Sequence, residues 1–155
     1  MSYGAGLVRG KVLAALIFLL PHSAWAAPTT LIAFGDSLTQ GYGLIEQEGF
    51  VPQLRAWLAQ QGATVRVINA GVSGDTTAGG LARIDWSLTR DVQGMILALG
   101  GNDVLRGTDP ALTRSNIRGI LRVARDKGVE VLLIGMRAPS NYGPDYEREF
   151  NAIWP

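Results

Sequence analysis

The sequence has no cysteine and a single histidine, His22. The first absence excludes disulfides, thiolate nucleophiles and cysteine-ligated zinc, and leaves the fold to rest on its hydrophobic core. The second leaves the chain after position 22 without an imidazole, the side chain that most often serves as general base near neutral pH. An excess of basic charge is also lacking. A formal net charge of +1 offers no electrostatic footprint for nucleic acid. No apolar run approaches the roughly 20 residues that cross a bilayer, and there are no internal repeats or low-complexity segments.

What is present begins with an export pattern. Arg9 and Lys11 form a basic start, Val12 to Leu20 an apolar run of about half a bilayer span, and Ala24-Trp25-Ala26 a small-residue cleavage site. Residues 1–26 are therefore expected to be a signal peptide and Ala27 the first mature residue. The protein is expected to be exported, periplasmic or secreted, with no stable membrane anchor. Cleavage would remove His22 as well, and the loss of Arg9 and Lys11 would move the formal net charge from +1 to −1. Residues 27–155, in a chain that is 47% hydrophobic and 17% charged, suffice for one globular domain.

Thr29 to Phe34 reads as the first strand and runs into Gly35-Asp36-Ser37-Leu38. A glycine-rich loop with Glu46 and Glu48 follows. Phe50, Leu54, Trp57 and Leu58 recur at helical spacing, which predicts a helix burying that face, with Pro52 in its first turn and Gly62 ending it. Val65 to Ile68 is a β-branched second strand leading into the loop Asn69 to Thr76. Leu81, Ile84 and Leu88 predict a helix from Thr76 to about Arg90, weakened in its first turn by Gly79-Gly80. Met95 to Leu99 has the unbroken apolar character of a strand buried on both faces, and it ends in Gly100-Gly101-Asn102-Asp103.

Leu112, Ile117, Ile120, Leu121 and Ala124 mark a third helix, with Arg114, Arg118, Arg122 and Arg125 as a solvated stripe. Val129 to Met136 predicts a fourth strand, followed by an Asn141-Tyr142-Gly143 loop. A last helix starts near Asp145 and is still in progress at Pro155. Strands alternating with helices predict right-handed βαβ units and a parallel sheet between helix layers.

In such sheets ligands bind beyond the carboxyl ends of the strands. Gly35-Asp36-Ser37, Ser73-Gly74-Asp75, Gly100-Gly101-Asn102-Asp103 and the Asn141-Tyr142-Gly143 loop all fall there. Taken singly, each has a plainer reading. Asp36 or Ser37 is a helix cap, Gly74 a turn before a helix capped by Asp75, Asn102 a turn residue, Arg106 and Arg137 surface, and Tyr142 a loop anchor. Taken together they suit acyl transfer: Ser37 as nucleophile, with its own N–H, the Gly74 N–H and the Asn102 side-chain amide meeting the negative charge on the carbonyl oxygen.

The blocks Gly35-Asp36-Ser37-Leu38, Ser73-Gly74-Asp75-Thr76 and Gly100-Gly101-Asn102-Asp103, in that order, resemble the first three blocks of the SGNH (GDSL) hydrolases. The longer stretches Asn69 to Thr76, Gly100 to Gly107 and Asn141 to Gly143 are similar to its periplasmic branch of thioesterase I, arylesterase and lysophospholipase enzymes. The resemblance implies a flavodoxin-like three-layer α/β/α sandwich, Ser37 as nucleophile, and the Ser37 N–H, Gly74 and Asn102 as oxyanion hole. Asp36, Arg106, Arg137 and Tyr142 are candidate substrate contacts, and Val104 to Asp109 would be a mobile substrate-binding segment. The implied substrate is a small acyl ester or thioester handled by a monomer, with no metal or organic cofactor.

The family's closing block, an Asp followed three residues later by the general-base His, has no counterpart after position 22. Asp36, Asp75 and Asp103 are too acidic to replace it unless buried, and Lys127 lies at the far end of its helix. The expectation is an amino-terminal fragment of a longer hydrolase, nearly inactive, lacking its last strand and helix and leaving a sheet edge open. Two other readings remain: a carbohydrate deacetylase on the same scaffold, and a non-catalytic α/β ligand-binding module. Against the second, neither G-x-x-x-x-G-K-[ST] nor G-x-G-x-x-G follows a strand.

Overall fold

The computed structural model describes residues 29–154; the export pattern and His22 lie outside the described residues. Its strands are β1 (Thr29–Gly35), β2 (Val65–Gly71), β3 (Val92–Ala98) and β4 (Glu130–Leu133). The helices are α1 (Ser37–Gln40), α2 (Phe50–Gln60), α3 (Thr77–Ser87), α4 (Gly101–Leu105), α5 (Pro110–Asp126) and α6 (Pro144–Asn151). All strand pairs are parallel and the order is β2-β1-β3-β4. The chain leaves β1 toward one edge, then crosses back over it to β3. The carboxyl ends of β1 and β3 therefore flank a topological switch point, where open α/β sheets form their ligand crevice.

The two faces are set by the period-2 alternation of β1. Ile32 and Phe34 point into the main core, with Leu97 and Leu99 from the β3 segment, Ile84 of α3, and Ile117 and Ile120 of α5. Ala33 points the other way and meets Val51 of α2 and Val67 of β2. The result is the parallel sheet between helix layers that the alternation of elements predicted, and the flavodoxin-like α/β/α sandwich that the resemblance implied.

Several expectations about individual elements are corrected. On α2 the buried residue is Val51, with Leu54 and Leu58 beside it, whereas Phe50 and Trp57 are 42% and 56% exposed. They sit about a quarter turn round the helix, and α2 packs on only the β2 and β1 half of the sheet, so the covered stripe is narrow. Leu112 on α5 is likewise exposed. Strand β2 runs on through Asn69, Ala70 and Gly71, because β1 continues to offer it partners as far as Gly35. Thr76, not Asp75, caps α3, its hydroxyl accepting the Gly79 N–H at 3.3 Å. The Gly100 to Asp103 stretch is not an open loop: α4 starts at Gly101. Helix α6 ends at Asn151, after which Ile153 N–H turns back to the Phe150 carbonyl and Trp154 folds under the glycines at 100 and 135.

Strand β4 is four residues long, shorter than expected, and pairs only with β3. Leu132 and Ile134 are 60% and 40% exposed, since no described element covers that half of the sheet opposite α3 and α5. Open, apolar sheet edges template association. Leu132→Lys is expected to lower self-association at micromolar concentration while leaving the circular dichroism spectrum unchanged, as sedimentation velocity would show.

Candidate active site

Three loops meet at the β1/β3 switch point. Asp36 follows β1 and is 4% exposed. One carboxyl oxygen accepts the Leu38 N–H at 3.0 Å, capping α1, and the other faces the Asn102 side-chain amide at 3.4 Å. Ser37 is thereby placed at the first position of α1, half-buried, and neither its N–H nor its Oγ is hydrogen-bonded among the described residues. Gln40 closes the same short helix against the next loop: its Oε1 accepts both Ser73 N–H, at 2.9 Å, and Ser73 Oγ.

The second loop turns at Gly74, whose φ of +77° is the left-handed conformation that disfavours a side chain. The Gly74 carbonyl accepts from Arg106 Nη2 at 2.9 Å, while its N–H makes no hydrogen bond among the described residues. On the third loop, Asn102 donates to the Asp75 carbonyl at 2.9 Å. That bond holds the amide in place, and the longer contact to Asp36 leaves its second hydrogen weakly engaged. Beneath these loops the Asp103 carboxyl, 1% exposed, accepts the Thr77 N–H at 2.9 Å, the Thr77 hydroxyl and, at 3.4 Å, the Thr113 hydroxyl. It joins α4 to α3 and α5.

The structure thus brings Ser37, Gly74, Asn102, Asp36 and Arg106 together. Residues 33–154 match the GDSL-like Lipase/Acylhydrolase family. The chain belongs to this family. It is 39% identical over 148 residues to Esterase TesA of Pseudomonas aeruginosa, covering 95% of this chain and 74% of that protein. It is also 39% identical over 132 residues to Thioesterase 1/protease 1/lysophospholipase L1 of Escherichia coli K12, covering 84% of this chain and 62% of that protein. Among solved structures, AlinE4, an SGNH-hydrolase family esterase, superposes with a TM-score of 0.80 at 47% identity, covering 84% of this chain and 70% of that one.

Two other candidates of this GDSL chain stand apart from the Ser37 group. Arg137 is exposed and lines a cleft with Met136, Asn151 and Trp154; no hydrogen bond among the described residues ties it to Ser37, Gly74 or Asn102. Tyr142 is half-buried and stacks on Tyr146, with ring centroids 5.1 Å apart, at the head of a ladder that continues through Phe150 to Trp154. That ladder anchors the segment after α4, because the Tyr146 hydroxyl donates to the Thr108 carbonyl at 3.0 Å. The tyrosine's pKa lies above its ordinary value, first because burial disfavours the phenolate and then through Tyr142, Asp103 and Asp109. The folded chain holds that proton more tightly than the unfolded one. The resulting stability is therefore intact at neutral pH and lost as pH rises past about 10, the ordinary tyrosine value. A series of melting temperatures from pH 8 to 11 is expected to fall more gently in Tyr146→Phe than in the parent.

Sequence reasoning missed Arg83, Thr77 and the buried role of Asp103. For Arg83 a signal existed: it sits on the helical phase of Gly80, Ile84 and Ser87, the face that meets the core, where a charge needs a dedicated partner.

Proposed function

We propose that the protein hydrolyses carboxylic esters or thioesters of small to medium acyl groups through an acyl intermediate on Ser37. The observation that carries this reading is a set of donors on three loops that hold to one another: two backbone N–H groups without partners among the described residues, at Ser37 and Gly74, and the Asn102 amide. Attack of Ser37 Oγ on a carbonyl carbon moves charge onto the carbonyl oxygen, and fixed donors of this kind stabilise that charge without reorganising. The weak Asn102 to Asp36 contact is the one to be exchanged for substrate. Asp36 caps α1 behind Ser37, the Asp75 carbonyl orients Asn102, and Arg106 braces the Gly74 turn. Leu38, Val72 and Leu105 are exposed beside these loops and offer apolar surface to an acyl or aryl group.

A serine needs a proton acceptor, and the sequence's one histidine, His22, is outside the described residues. No helix among the described residues is long and apolar enough to cross a membrane. The pattern in residues 1–26 supports export.

The test is covalent labelling of the protein expressed from its native gene. With a fluorophosphonate, intact mass is expected to rise by one phosphonyl group, mapped to Ser37, with parallel loss of p-nitrophenyl butyrate and butyryl-thioester turnover. Label on any other residue, or turnover that survives full labelling of Ser37, overturns the reading.

A further inference from the structure

The strongest unassigned feature of the molecule is a buried guanidinium between two of the three loops. Arg83, in the middle of α3, is 9% exposed. Its Nε donates to Asp75 Oδ2 at 2.7 Å, its Nη2 donates to the Gly35 carbonyl at 3.0 Å, and its plane lies 3.8 Å from the centroid of the Phe34 ring. Gly35 is the residue from which the Asp36-Ser37 turn departs. Asp75 follows Gly74, and the Asp75 carbonyl is the group that receives Asn102.

We propose that Arg83 is the positioning residue of this site: one planar cation ties the Ser37 turn to the Gly74 loop and, through Asp75, to Asn102. The inference rests on the ester-hydrolase reading above. A lysine would not serve, because a single ammonium lacks the rigid fork that reaches a carboxylate and a carbonyl at once. The surrounding sequence is shaped to admit the contact. The Asp75 carboxyl occupies the space over Gly79 where any Cβ would collide, and Gly80 leaves room for Leu99 and Phe34, the ring on which the guanidinium rests. A glycine pair that weakens the first turn of α3 by local propensity is therefore accounted for by the packing of the site.

A misplacement of about 1 Å in a catalytic array costs on the order of 10²-fold in rate. Arg83→Met is expected to lower kcat for p-nitrophenyl butyrate by about 10²-fold with KM within about twofold. Arg83→Lys is not expected to restore it, and Arg122→Met, on the exposed face of α5, should match the parent. The same variants are read by hydrogen exchange. Arg83→Met should speed amide exchange about tenfold or more in peptides spanning both Ser37 and Gly74, with the centre of α5 unchanged. If Arg83→Met does not fold, Asp75→Asn reads the same two loops. Unchanged exchange in either loop, or full kcat in Arg83→Met, overturns the proposal. Absence of turnover in the protein expressed from its native gene would overturn the ester-hydrolase reading instead, and the exchange result would still decide whether Arg83 couples the loops.

Discussion

In the protein expressed from its native gene, where a general base completes the site, Ser37→Ala is expected to lower turnover of p-nitrophenyl butyrate by on the order of 10⁶-fold, the scale on which serine hydrolases depend on their nucleophile. The substitution is clean in this site. It removes Oγ, which has no hydrogen-bond partner among the described residues, and keeps the N–H at position 37 that we propose as an oxyanion donor. Asp36 still caps α1 through Leu38, so the turn itself has no reason to move. Stability should change by no more than about 0.5 kcal/mol, as for substitutions that break no buried contact. The variant should also take no phosphonate label while retaining affinity for a product carboxylate. Turnover within tenfold of the parent would place the reaction at another residue.

The second large effect concerns folding. Asp103→Ala is expected to destabilise the protein by about 3 to 5 kcal/mol, because it leaves two buried donors without an acceptor at a cost of roughly 1 to 3 kcal/mol each. Those donors are the Thr77 N–H and the Thr77 hydroxyl, with Asn116 leaning on the same Thr77 oxygen at 3.1 Å, whereas the Thr113 hydroxyl keeps the Asp109 carbonyl at 3.3 Å. Asp103→Asn keeps the volume and one acceptor, and should cost about half as much. Urea denaturation measures both through a lower midpoint at constant slope. A midpoint shift equivalent to less than about 1 kcal/mol would show that the network is replaced by water.

The sequence alone revealed the order of strands and helices, because hydrophobic period is a local property. Continuous runs at Thr29 to Phe34 and Met95 to Leu99, and helical spacing through Leu81, Ile84 and Leu88, mark elements whatever lies around them. It also picked out Ser37, Gly74 and Asn102, because each sits in a short polar, glycine-bearing segment directly after a strand, or after the short extension of one. The rule that ligands gather at the carboxyl edge does the rest.

Element ends were less legible. Asn69 to Gly71 look like a loop by composition and become strand only because β1 has open partners beside them. Phe50 and Trp57 look like core by hydrophobicity, yet they flank a helix that touches half a sheet. The apolar pattern records which residues are able to be buried; the width of the partner surface decides which are.

What the sequence determined by itself is therefore the alternating α/β architecture, the three loops at its carboxyl edge, and the residue types on them. What only the tertiary structure decided is how those loops are held to one another. Asp36, Asp75 and Asp103 are equivalent carboxylates on paper, but one caps the serine turn, one pairs with Arg83, and one is sealed beneath α4 among threonines. Their roles depend on partners 2 to 66 positions away in sequence, and a hydrogen bond between distant residues leaves no periodic trace for a local pattern to reveal.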